Sequence, residues 1–179
     1  MKRRGLTAAW LLAALVLLTM PAGALSARGG TRTAQASLDA GVLDQLNAIR
    51  LAHGLVALTA SPRLAAAAAQ HTREMAADGY FAHNSVNGTA FWRRISHWYS
   101  SAQFGYWSVG ENLLWSSPDV DAAGALRLWM QSPEHRANIL APRWREIGIA
   151  NVHVANAAGV YGSRPVTIVA TDFGVRKAE

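Results

Sequence analysis

The chain contains no cysteine. That absence excludes a disulfide framework, a thiol nucleophile, a lipid-anchoring N-terminal thiol and any zinc site built on sulfur. A domain without such staples is held by its core alone. With 179 residues, 51% of them apolar, the chain can build one such core and is too short for two ordinary domains. Charge is sparse too, at 16% of residues. The basic residues beyond Lys2, Arg3 and Arg4 are scattered, with no basic run interleaved with aromatics. Nucleic acid is therefore not an expected partner. There is no Gly-x-Ser-x-Gly elbow, no glycine-rich phosphate loop and no His-Glu-x-x-His helix. No pair of acids suggests glycoside hydrolysis.

Long apolar runs are missing as well, with one exception. Residues 6–20 are apolar, follow the basic Lys2, Arg3 and Arg4, and end at Pro21 and the small residues Ala22, Gly23 and Ala24. The run is shorter than the roughly 20 residues a membrane span needs. It reads as a secretory signal peptide over residues 1–26, which places the protein in the cell envelope or outside the cell, with no stable span after cleavage. Residues 27–37 lack apolar periodicity and read as a flexible linker. The folded domain is expected over residues 38–176.

Within that domain the apolar period changes along the chain. Val42, Leu46 and Ile49 recur at helical spacing, and Gly54 stops that helix. Ser61-Pro62 opens a second helix with the stripe Leu64, Ala68, His71 and Met75, ended by Gly79. The alanines at 65–69 let a neighbouring layer approach closely. A further helix is expected over 89–97. Ser117-Pro118 is expected to open another, and Ser132-Pro133 a short one running to about Leu140. Residues 147–154 and 166–173 are strand-like and joined by a glycine-containing loop, with 106–115 as a third strand. Both faces of 166–173 are apolar: Val166, Ile168 and Ala170 on one, Val169 and Phe173 on the other. Helices are thus expected on both sides of a mainly antiparallel sheet, in an α+β, three-layer α-β-α sandwich.

Three side chains stand out as candidates for chemistry: His83, Glu111 and His135. Each sits at the end of an element. Two imidazoles and a carboxylate can hold a divalent metal such as Zn²⁺ with an open position, or run acid–base chemistry. His135 falls in the first turn of the helix opened by Ser132-Pro133, where the helix dipole favours the neutral imidazole that binds metal. His71, on an apolar stripe, reads as a core histidine. His53 and His97 read as exposed, and Glu134 and Glu146 as a helix-start charge and a surface charge. Trp115, Trp129 and Trp144 read as core fillers.

The ordered motifs resemble the bacterial branch of the CAP superfamily, the SCP-like fold. They are Leu46-Asn47-Ala48-Ile49-Arg50 with Gly54-Leu55; His71 with Met75; Phe81-Ala82-His83; Gly110-Glu111-Asn112; Trp129 with Ser132-Pro133-Glu134-His135-Arg136; Glu146-Ile147-Gly148; and Thr171-Asp172-Phe173-Gly174. The resemblance implies an α-β-α sandwich with an open cleft where His83, Glu111 and His135 converge. The residue chemistry then assigns a metal to His83 and His135, with Glu111 as an optional third ligand. Animal and plant members of the family usually carry a Glu three positions after the Trp, where this chain has Ser132, read here as a helix cap. Three functions stay open. One is a secreted binding domain for a divalent metal and an extracellular ligand: a lipid, a peptide or a cell-envelope component. Another is a metal-dependent hydrolase using Glu111 as ligand or base. The third is an interaction domain in which the three residues only brace the fold.

Overall fold

The structure is a computed structural model and describes residues 23–178, with side chains from residue 33 onward. Residues 1–22, most of the expected targeting segment, lie outside the described residues. The first helix, α1 (Gly23–Ala52), includes residues 27–37. The expected linker is therefore helical here. Asn151 explains part of this, because its side-chain amide donates to the Gln35 carbonyl at 2.9 Å and to Asp39 at 2.8 Å. Once the packed half of a helix exists, each added residue extends it without a new nucleation cost.

A short strand β1 (Thr59–Ala60) leads into α2 (Pro62–Asp78), then α3 (Phe91–Trp98), β2 (Tyr106–Ser116), α4 (Ala122–Gln131) and α5 (Pro133–Ile139). The long strands β3 (Glu146–Ala157) and β4 (Arg164–Lys177) close the chain. The sheet order is β1-β3-β4-β2, parallel only between β1 and β3. The expected α+β sandwich is what forms. Helices α1, α4 and α5 pack Val42, Leu46, Leu126, Trp129 and Ile139 against Ile147, Val169 and Phe173. On the opposite face α2 packs Ala68 and Met75 against Leu113, Ile168 and Ala170, while α3 adds Ile95 against Leu64 and Ala67. β4 is central and buried along most of its length, so both of its faces have to be apolar.

Local sequence explains most boundaries. Gly79 adopts φ 66° and returns its N–H to the Met75 carbonyl, the left-handed cap that ends α2. α2 lies unusually close to the sheet at Gly148, where an added Cβ would meet the backbone of Leu64 and Ala65 at 2.0 Å. Two starts differ from expectation. α3 begins at Phe91 rather than residue 89. α4 is opened by Asp121, whose carboxylate accepts the Gly124 N–H at 2.7 Å, and not by Ser117-Pro118. An Asp free to accept from the first turn outcompetes a Ser-Pro pair three residues upstream. Among the described residues no helix is long and apolar enough to cross a membrane.

Candidate functional site

His83 lies in the segment after α2, and three buried groups pin that segment. Tyr161 donates its hydroxyl to the Tyr80 carbonyl at 2.7 Å. His71 donates Nε2–H to the Ala82 carbonyl at 2.9 Å. Arg94, on the inner face of α3, donates Nη1–H to the His83 carbonyl itself at 2.8 Å. His71 is therefore the core histidine it was expected to be, held below its ordinary pKa chiefly by burial.

Glu111 stands on the β2 face that α2 and α3 cover. Its Oε1 accepts from His83 Nδ1 at 2.8 Å, and its Oε2 pairs with Arg94 Nη2. The carboxylate is almost wholly buried at 1% exposure, while the His83 ring stays 52% exposed. One guanidinium thus grips both the backbone of the histidine and the side chain of the glutamate. That planar fork is geometry a lysine cannot supply.

His135 reaches the site from the other helical layer. Asn112, the neighbour of Glu111, donates to the His135 carbonyl at 3.1 Å. Asn138 donates to the Glu111 carbonyl at 3.2 Å and to Asn112 Oδ1 at 3.0 Å, tying α5 to β2. His135 Nδ1 lies 2.9 Å from Ser132 Oγ. Ser132 does occupy the cap position, but its hydroxyl makes no cap hydrogen bond to the helix and serves the imidazole instead. Burial lowers the His135 pKa, nearby His83 lowers it further, and Glu134 opposes both. All three expected residues therefore gather around the middle of β2, where Glu111 and Asn112 stand on its two faces. Both imidazoles use Nδ1, and neither Nε2 hydrogen-bonds within the described residues.

Two site residues escaped the sequence reading. Arg94 looks like one scattered cation among many. Its spacing from Phe91, Ile95 and Trp98 could have shown that it faces inward. Asp172 shares its face of β4 with Val166, Ile168 and Ala170, so the alternation could have marked it as a buried acid; it lies directly across from Glu111. Glu146 is half-buried, not a free surface charge. It accepts the Tyr99 hydroxyl and lies 3.9 Å from Arg176 Nη2. Trp129 and Trp144 are buried fillers, while Trp115 is only half-buried, edge-on to Tyr161. A cavity of about 710 Å³ lined by Gln35, Leu38, Asp121 and His153 shares no residue with the site.

A family model described as CAP, the cysteine-rich secretory protein family, matches residues 43–163. This chain is a CAP protein. It keeps the fold without any cysteine. It is 29% identical over 108 residues to the uncharacterized membrane protein YlbC of Bacillus subtilis, covering 60% of this chain and 30% of that one. This CAP chain thus spans about 30% of that curated relative's length. Among solved structures it resembles an extracellular protein containing an SCP domain from Bacillus anthracis. There the TM-score is 0.63 and the identity 23%, covering 81% of this chain and 42% of that one. It also resembles an outer surface protein of Borrelia burgdorferi, with TM-score 0.59, 18% identity, and coverage of 75% and 90% respectively. These likenesses establish the shared CAP fold.

Proposed function

We propose that this CAP domain works outside the cytoplasm as a binding module whose ligand site is the surface bounded by His83 and His135. The observation that carries this reading is the pair of free Nε2 atoms. Each imidazole has its Nδ1 held by an oxygen, the arrangement that orients histidines for an external partner. The N-terminal apolar segment supports an extracytoplasmic location, as does the likeness to proteins described as extracellular or outer-surface.

A divalent metal at this site would take its protein ligands from the two imidazoles alone. The two Nε2 atoms are available as ligands. Glu111 is not, because His83 and Arg94 engage both of its oxygens. Among the described residues no group of three His, Asp or Glu side chains is arranged around a metal position. Zn²⁺ held at His83 and His135 would keep its remaining positions for water or for an extracellular ligand: a lipid, a peptide or a cell-envelope component. Hydrolysis of the usual zinc type calls for a third protein ligand and a free base. Glu111 serves as neither here, so the binding reading is favoured over the hydrolase.

Calorimetric titration with zinc at pH 7.5 tests this reading, using protein that begins at Gly23 so that α1 stays whole. The expected Kd is on the order of micromolar or weaker, since affinity grows with ligand number and this site offers two. The double variant His83→Ala/His135→Ala should show no binding. Absence of binding in the wild type, or binding unchanged in the variant, contradicts the metal reading. The single variant His83→Ala separates binding from bracing. A half-exposed ring contributes little to folding, so its loss should cost less than about 1 kcal/mol by thermal denaturation. A larger loss would favour the brace.

A further inference from the structure

Glu111 and Asp172 are direct cross-strand partners on the inner face of the sheet. Asp172 is fully buried, and no donor reaches either of its carboxyl oxygens. On its other side β4 pairs it with Gly148, which has no side chain and is pressed by the start of α2. The polar groups that act on the Asp172 carboxyl are Glu111 and Arg94. Glu111 has already committed its oxygens to His83 and Arg94. Two carboxyls therefore share a buried space with one cation, Arg94. A buried carboxylate with no donor costs several kcal/mol, and two anions in contact cannot both persist.

We propose that Asp172 is the second acid of the site, held as a neutral carboxylic acid that donates its proton to Glu111 and fixes the carboxylate that orients His83. Asp172 is thereby a positioning residue for the site. The charged and titratable groups facing the pair are Arg94 from α3, His71 from α2 and His83 from the segment after α2. Burial raises the Asp172 pKa well above the ordinary value, the negative charge of Glu111 raises it further, and Arg94 opposes them. The consequence for stability has a definite sign. A carboxyl whose pKa rises on folding stabilises the fold below its unfolded value, near 4, and that contribution is lost as pH rises toward the folded value. Asn at this position is neutral at every pH and removes the loss.

The inference does not depend on a bound metal, so it is tested on full-length protein in EDTA by infrared spectroscopy at pH 8. At that pH Asp39, which burial raises to about 6, is ionised and does not interfere. The wild type should show the C=O stretch of a protonated carboxylic acid, shifted in D₂O, and Asp172→Asn should lack it. Asp172→Asn should also match or exceed the wild-type Tm at pH 8, with the difference shrinking toward pH 4. The ¹⁵N shifts of His83 should stay as in wild type for Asp172→Asn and move for Asp172→Ala, which offers Glu111 no donor. The absence of a protonated-acid band in the wild type, or its persistence in Asp172→Asn, overturns the assignment even if a variant folds poorly. A failed zinc titration leaves it standing.

Discussion

Replacing Arg94 with Met should destabilise the domain by about 3–5 kcal/mol, the largest loss expected from any change of a single polar side chain here. The Arg94 side chain is 2% exposed, and the Glu111 carboxylate it pairs with is 1% exposed. Glu111 loses its cation and the His83 carbonyl loses its donor. Removing one half of a buried ion pair costs far more than the pair contributes, because the other half is left uncompensated. Total stability of a domain is only about 5–15 kcal/mol, so the variant should be close to unfolding at 37 °C. Arg94→Lys should restore the charge but not both contacts, and recover only part of the loss. The double variant Arg94→Met/Glu111→Gln should recover more, since it removes the stranded charge. Urea denaturation of the four proteins checks this order. A cost below about 1 kcal/mol for Arg94→Met would mean that the pair is solvated.

Gly148→Ala is the second large effect, expected at about 3 kcal/mol or more. A Cβ there would lie 2.0 Å from Leu64 C and Ala65 N. These are backbone atoms of α2, so no side chain can rotate away and the whole helix start has to lift. Because α2 roofs the Glu111–Asp172 pair, the change should weaken zinc binding as well. Gly54 provides the contrast. It has φ 71° with nothing within 4 Å of an added Cβ. Gly54→Ala therefore meets only backbone strain, about 1 kcal/mol. Equal costs for the two substitutions, measured by thermal denaturation, would contradict the close packing of α2 on the sheet.

Periodicity made much of the sandwich legible. The stripe Leu64, Ala68, His71 and Met75 placed α2, and the alternation along β4 required helices on both sheet faces. The extent of α1 was not legible, in part because its turn at Gln35 and Asp39 is held by the side chain of Asn151, over a hundred residues away in sequence. The start of α4 was misplaced because two cap signals lie close together, and only the fold shows which hydrogen-bonds the first turn. At the site, His83, Glu111 and His135 were recognisable from motif order. Their roles were not, since a role depends on which atom is free. Glu111 has the chemistry of a ligand, yet a guanidinium from α3 and an imidazole take both its oxygens. Arg94 and Asp172 carry no local motif. Their importance lies in being buried together, which strand register and helix face decide jointly.

The site depends most directly on which ring nitrogens face outward, and long-range ¹H–¹⁵N NMR of the six histidines reads this in one experiment. Without metal, His83 and His135 should carry their proton on Nδ1, leaving Nε2 bare. Zinc should then move the Nε2 resonances of these two residues and leave buried His71 unchanged. Protons on Nε2 in the free protein, or spectra of His83 and His135 unmoved by saturating zinc while exposed His53 or His97 responds, would contradict a two-imidazole site.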